Sequence, residues 1–253
     1  MSRLLSPHFV LILGCQRSGT TLLYMMLTSH PRMTGLNEDE SHNAYPGWAE
    51  IGNNALRGNK TCYKLIVKVG DLENIKHYFP KAQIVWILRN PYAVLSSMKS
   101  LRAQGERSWL EVCGARELER LKPLFPEIGE TNICGLDSIS KGASIWKYKA
   151  KAISLYAKAG YKKNILRYED LLAEPARTMK TILQKIGLSW SPEVLRHETH
   201  HAGKKYDGNN FGDQPLDTRR AAEKNDLSPE EIRTVNALCH SEMAEWGYPI
   251  KEK

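Results

Sequence analysis

A short run of residues suited to holding anions lies near the start of the chain. Gly14 and Gly19 bracket Cys15-Gln16-Arg17-Ser18, and Thr20-Thr21 follow; the whole run comes directly after the apolar stretch Phe9 to Leu13. Backbone N–H groups between a strand and the first turn of a helix point at whatever occupies the turn, and the helix dipole favours negative charge there. Gly14 and Gly19 allow close approach, and Ser18, Thr20 and Thr21 add hydroxyl donors. A nucleotide-hydrolysing loop would continue with Lys-Ser or Lys-Thr, the lysine gripping phosphates and the hydroxyl holding Mg²⁺. Here Thr20 stands in the lysine's place, and the nearby cation is Arg17, inside the loop. An arginine at that point reaches the bond being broken. That suits transfer of a group that needs charge stabilisation without a metal clamp. The bland alternative is a Gly/Ser turn ahead of a core helix.

Transfer to a hydroxyl or amine also needs a base near the acceptor. The segment GLNEDESHNAY, residues 35–45, offers Glu38, Glu40 and His42 after a His30-Pro31 turn. Either carboxylate could serve, and so could the imidazole, which titrates near neutral pH. An acidic loop is equally at home as solvated surface.

These residues need a scaffold, and the hydrophobic pattern supplies one. Phe9 to Leu13, Gln83 to Leu88 (QIVWIL) and Asn164 to Tyr168 read as strands, and Tyr63 to Val67 is a further apolar run. Thr20 to Ser29, Leu72 to Phe79, Ala93 to Arg102, Ser144 to Ala159 and Pro175 to Ile186 read as helices. Ser228-Pro229-Glu230-Glu231 opens a last helix with a capping box. Residues 103–140 read as irregular and 197–226 as polar loop. Strands alternating with helices predict an α/β fold: a central parallel β-sheet flanked by helices, in a single domain over residues 1–253. The 103–140 stretch would be an acceptor-site insertion. It and residues 40–60 carry the aromatics Tyr45, Trp48, Trp109 and Phe125, expected to shape the acceptor pocket.

Composition narrows the partners. The 253 residues hold 36 Lys+Arg against 28 Asp+Glu, a net charge of +8 that suits an anionic ligand. The basic residues are spread along the chain without a run of like charge, which disfavours nucleic acid. Five cysteines, an odd number with no CxxC pair, argue against a disulfide framework or a structural zinc. The short apolar run at the N-terminus leads straight into the glycine loop, with no cleavage site and too few residues for a span of about 20. The expectation is a cytoplasmic protein without a membrane partner. Oligomeric state is not encoded in any of these features.

GCQRSGTTLL resembles the 5′-phosphosulfate loop of sulfotransferases that use 3′-phosphoadenosine 5′-phosphosulfate (PAPS). The resemblance is closer to the bacterial, glycan and tyrosyl-protein types than to the cytosolic type, whose RKG signature is absent. It implies a P-loop-like sulfotransferase fold in which Arg17 takes over the lysine's task. IVWILRNPYAVLSSM then matches the family's 3′-phosphate segment, with Arg89 at the strand end and Ser97 eight residues on. An arginine fork and a helical serine suit a phosphate dianion. NILRYEDLLAEP resembles the family segment whose tyrosine, here Tyr168, lies near the adenosine. GDQPLDTRRAAEKNDLSPEE resembles a loop that closes over the cofactor, making Arg219, Arg220 and Lys224 further 3′-phosphate contacts. Glu40-Ser41-His42 has the Glu-x-His form of the family's base, and Lys68 falls where a lysine neutralises the transferring sulfuryl group.

The implied cofactor is PAPS, with adenosine 3′,5′-bisphosphate as product and no metal. The implied acceptor is a hydroxyl or amine of a small soluble metabolite or sugar. Two other readings stand beside this one. A P-loop kinase or hydrolase is disfavoured by Thr20 and by the lack of a clear Walker-B strand. A non-catalytic nucleotide-binding scaffold is disfavoured by the joint presence of Arg17 and Glu40.

Overall fold

Phe9–Gly14 forms strand β1, and all six of its residues are buried. That is the signature of a strand covered on both faces. Val10 and Ile12 join a core with Leu23, Met26 and Leu27 of helix α1 (Thr20–Thr28). The alternate residues Phe9, Leu11 and Leu13 join the opposite core, with Trp146, Ile153 and Tyr156. The period-2 alternation of a strand thus places helices on both sides of the sheet. Each large apolar side chain buried in this way contributes about 1.5–3 kcal/mol.

The computed structural model describes residues 8–36, 59–206, 210–217 and 226–252. After α1 come β2 (Met33–Leu36), β3 (Lys60–Lys64), α2 (Leu72–Tyr78), β4 (Gln83–Leu88) and α3 (Pro91–Ser100). A small hairpin of β5 (Arg102–Gln104) and β6 (Arg107–Ser108) leads to α4 (Trp109–Glu119) and the long α5 (Ser138–Lys158). Then follow β7 (Asn164–Arg167), α6 (Tyr168–Ala173), α7 (Pro175–Lys185) and, after a shorter-featured stretch, α8 (Pro229–Glu245).

The main sheet has five parallel strands in the order β2-β3-β1-β4-β7. The chain leaves β1 toward the β2–β3 side and returns on the other side at β4. Ligands in such sheets bind beyond the carboxyl ends of the strands where the order reverses, here between β1 and β4. The register brings those ends level: Ile12 pairs with Lys64, Gly14 with Ile87 and Leu88 with Arg167. The segments that follow β1, β4 and β7 therefore open onto one crevice.

Several sequence expectations need correcting. The apolar run Tyr63 to Val67, which the sequence pattern assigns to neither strand nor helix, is divided between the end of β3 and a turn. Leu65 leaves the extended region (φ −124°, ψ 47°), and Ile66–Lys68 forms a 3-10 turn. The 103–140 stretch is not irregular throughout, because α4 occupies Trp109–Glu119 within it. Ser108 and Glu111 cap that helix reciprocally, a capping box written in the sequence as Ser-Trp-Leu-Glu. Helix α5 begins two turns earlier than the apolar pattern suggests, where Asp137 accepts from the backbone N–H of Ser140 at 2.8 Å. Between 197 and 226 the described residues hold a one-turn helix, His197–His200, and a hairpin pairing Lys205–Tyr206 with Asn210–Phe211.

That last stretch is tied down by His201. Its ring is buried, with Nε2 3.1 Å from both the Met25 carbonyl and Thr28 Oγ1, and Nδ1 on the Tyr206 hydroxyl. Burial, aided by Lys204, lowers its pKa from 6.5 to about 4. Between those values the unfolded chain binds a proton that the folded one refuses. Folding stability should therefore fall as pH drops from about 6.5 toward 4, by at most about 1.4 kcal/mol per pH unit for one proton. Urea midpoints measured across that window should show the slope, and His201→Gln should flatten it. An unchanged slope in the variant would assign the pH dependence to other groups.

Candidate functional site

Loop residues 14–19 leave β1 and turn at once. Ser18 N–H donates to the Cys15 carbonyl at 3.2 Å, closing a turn with Gln16 and Arg17 at its centre. Arg17 has φ 65°, the one described residue other than glycine in the left-handed region. Gly19 precedes α1 with φ 87°, and a Cβ there would stand 2.3 Å from the Tyr168 ring. Glycine at this point is required twice, by conformation and by packing. Ser18 is fully buried, and its hydroxyl has no hydrogen-bond partner among the described residues. An anion seated in the turn would satisfy such a donor.

Strand β4 pairs directly with β1, so Arg89, one residue past β4, comes against the loop. Its Nη1 donates to the Arg17 carbonyl at 2.6 Å, and its guanidinium lies 4.4 Å from the centre of the Tyr168 ring. Ser97, two turns into α3, accepts from Arg17 Nε at 3.0 Å and keeps its own hydroxyl hydrogen to donate. Arg17, Arg89 and Ser97, 80 positions apart at the extremes, form one cationic corner.

The surroundings hold that corner still. Asn90 caps α3 by accepting from Tyr92 N–H at 3.0 Å, with Pro91 at the first helical position. Glu169 accepts from Asn90 N–H at 2.7 Å, and Trp146 Nε1 donates to the Arg89 carbonyl at 2.9 Å.

A cavity of about 380 Å³ opens from this corner, within the usual range for small-molecule sites. Arg17, Gly19, Thr20, Thr21, Arg89 and Tyr168 line it. Leu22, Met25, Leu172, His197 and Leu216 also line it. Burial lowers the pKa of His197, against the opposing pull of Glu198 and the Gln214 carbonyl. A wall that carries both hydrogen-bond donors and apolar side chains suits an aromatic base joined to phosphates.

One cation near the loop was not singled out from the sequence. Lys64 ends β3 beside β1, is 2% exposed, and its Nζ stands 3.4 Å from Thr21 Oγ1. Lys68, the lysine expected to neutralise the transferring group, sits one turn further on in the 3-10 turn and is half-buried. The sequence signal that could have found Lys64 was the strand boundary, since a lysine at the last position of a central parallel strand faces the crevice mouth. Phe125, expected in the acceptor pocket, is 2% exposed and packs on Tyr148 at 4.9 Å between ring centres. Glu38, Glu40, His42, Tyr45, Trp48, Arg219, Arg220 and Lys224 lie outside the described residues.

A glycine turn at the switch point of a parallel sheet, with three cationic or hydroxyl side chains converging on it, is suited to holding an anionic group. The family described as "Sulfotransferase domain" matches residues 7–247 of the chain. The chain therefore belongs to the sulfotransferase family and is an enzyme of the PAPS-dependent class. Solved structures share its fold. The sulfotransferase domain of the Synechococcus PCC 7002 olefin synthase is 16% identical, with a TM-score of 0.62 over 96% of this chain and 95% of that one. The sulfotransferase domain from the curacin biosynthetic pathway is 14% identical, with a TM-score of 0.58 over 96% and 98%. Mouse sulfotransferase SULT7A1, solved with adenosine 3′,5′-bisphosphate (PAP), is 16% identical, with a TM-score of 0.54 over 94% and 84%. Among the described residues no helix is long and apolar enough to cross a membrane.

Proposed function

We propose that the cavity holds PAPS and that the enzyme moves its sulfuryl group to a hydroxyl or amine of a small soluble metabolite or sugar. The observation that carries this reading is the meeting of Arg17, Ser97 and Arg89 at the ends of β1 and β4. The loop from Gly14 to Thr21 holds the 5′-phosphosulfate, with Ser18, Gly19, Thr20 and Thr21 as donors. Arg17 and Lys64 meet the charge that grows as the bond to sulfur breaks. Arg89 and Ser97 hold the 3′-phosphate. Tyr168 packs on Gly19 and under Arg89, so it shapes the nucleotide end of the cavity.

Arg219 and Arg220 are assigned to the same phosphate. Their support is that Asp217 lines the cavity and that Asp226 N–H donates to Ser96 Oγ at 3.2 Å, next to Ser97. Glu40 is the assigned base, with Glu38 and His42 as its alternates, and Lys68 is an auxiliary cation. With these cations in place the reaction takes no divalent metal.

The chemistry at the site follows from charge. The sulfuryl group carries negative oxygens, and the leaving bisphosphate gains charge at its bridging oxygen. Preorganised donors act on such charge more strongly than water does, because they need no reorganisation. The base accepts the proton of the acceptor hydroxyl or amine as the new bond to sulfur forms.

Calorimetric binding tests the cofactor assignment. Adenosine 3′,5′-bisphosphate should bind well and 5′-AMP much more weakly. Arg89→Ala should cost about 1.5–3 kcal/mol of bisphosphate affinity, the scale of a hydrogen bond to a charged group. Its effect on 5′-AMP should be smaller, limited to what Arg89 contributes by holding the Arg17 carbonyl. Equal affinity of the native enzyme for the two nucleotides would sink the 3′-phosphate site.

A further inference from the structure

Two ionisable side chains are buried against the loop and have no part in the reaction outlined above. Lys149 of α5 is 1% exposed and Glu117 of α4 is 2% exposed. Lys149 Nζ donates to Glu117 Oε1 at 2.5 Å, to the Ile66 carbonyl at 2.7 Å and to Gln16 Oε1 at 2.7 Å. Three donors meet three acceptors, so the ammonium is fully used. The second oxygen of Glu117 takes Arg120 Nη1 at 3.2 Å.

Stability is a poor reason for such an arrangement. A buried ion pair can often be replaced by apolar residues of similar volume without loss, because desolvation offsets the attraction. What the pair does is join four segments: α4, α5, the 3-10 turn after β3, and the loop. Its link to the loop is the Gln16 side chain. Of the two polar atoms in that side chain, Oε1 is bonded to Lys149, while Nε2 is buried with no hydrogen-bond partner among the described residues. An ammonium can face only the carbonyl end of an amide, so Lys149 also sets the amide's rotation.

Gln16 is the first central residue of the Cys15–Ser18 turn, and Arg17 is the second. An arginine with φ 65° is uphill from the usual conformations and persists only where its surroundings over-determine it. Arg89 and Ser97 hold Arg17 by its carbonyl and its Nε. Lys149 holds the neighbouring residue from within the core. We propose that Lys149 is a positioning residue for the donor loop, its ammonium anchored by Glu117 and the Ile66 carbonyl so that Gln16 keeps Arg17 in its left-handed conformation. This rests on the reading of the loop as the PAPS site.

The test uses two variants of the full chain. Gln16→Met cuts the link and leaves the ion pair intact. The double variant Lys149→Met/Glu117→Met removes the pair without stranding a charge. Amide hydrogen exchange of the loop, measured without nucleotide, should speed up about tenfold in both, with α5 and β4 unchanged. Affinity for adenosine 3′,5′-bisphosphate should fall about tenfold, the scale of one hydrogen bond to a charged group. Gln16→Met added to the double variant should have no further effect, since the link is already gone.

Native loop exchange and native affinity in both variants, even with a lowered melting temperature, would overturn the proposal and leave the pair a scaffold contact. If the double variant does not fold, Gln16→Met alone decides. If the native enzyme does not bind the bisphosphate, the PAPS reading fails, and loop exchange still decides whether Lys149 positions the turn.

Discussion

Arg17→Ala should lower kcat about 100- to 1000-fold, the usual cost of losing one preorganised donor at developing charge. Nucleotide affinity should fall much less. The reason is the geometry of the turn. The Arg17 backbone is held by Arg89 through its carbonyl, and that contact survives truncation of the side chain. The turn itself is closed by Ser18 N–H and the Cys15 carbonyl, which also survive. What disappears is the guanidinium at the loop's crest, together with its Nε contact to Ser97. An interaction stronger in the transition state than in the ground state appears in kcat; one equal in both appears only in binding. Arg17→Lys should recover part of the rate, since it keeps the charge but loses the planar fork that reaches Ser97 and the anion together. Steady-state sulfation beside calorimetric binding of the bisphosphate separates the two effects. A variant that binds the bisphosphate far more weakly but turns over at the native rate would make Arg17 a binding residue and move the transition-state role elsewhere.

The parts of this site that can be read from the sequence are those where one local rule decides. Gln83–Leu88 is apolar at five successive positions and bounded by polar residues, so β4 has the limits expected of it. The loop and Arg89 are each fixed by a strand end, and parallel pairing of β1 with β4 then brings them together. α8 begins where its capping box says it must. Less legible are features set by packing across distant segments. Lys149 looks like one more lysine on an amphipathic helix, and only the fold turns it toward Glu117 and Gln16. Phe125 looks like a loop aromatic until Tyr148 covers it. Residues 103–140 look irregular because their Gly and Pro content outweighs a helix of 11 residues, although its cap was spelled out. Lys64 is hard to read because it lies inside the apolar run Tyr63 to Val67, where no residue marks a strand end. The backbone turns at Leu65, and the lysine becomes the strand's last residue.

That turn makes the choice between Lys64 and Lys68 a sharp one. Lys64→Met should lower kcat about 100-fold or more, and Lys68→Met should change it by no more than a few-fold. Lys64 is 2% exposed, and its ammonium stands 3.4 Å from Thr21 Oγ1, a hydroxyl at the wall of the cavity. A buried ammonium is costly to hold away from water, and the cost is offset only by charge or dipoles nearby. A sulfuryl group seated in the loop supplies such charge, and supplies more of it as the bond to the leaving phosphate breaks. Methionine keeps the length and apolar stem of lysine, so the β3 end stays filled while the charge is lost. Lys68 differs in each respect that matters. It is half-buried, and it lies on the 3-10 turn rather than on the strand. Both variants should fold, which melting curves and bisphosphate binding would verify before rates are compared. A large loss of kcat in Lys68→Met with a native rate in Lys64→Met would return the role to Lys68 and make Lys64 a packing residue of β3. Large losses in both would mean that the 3-10 turn carries a second cation to the acceptor side. Native rates in both would leave Arg17 to stabilise the transferring group without a lysine.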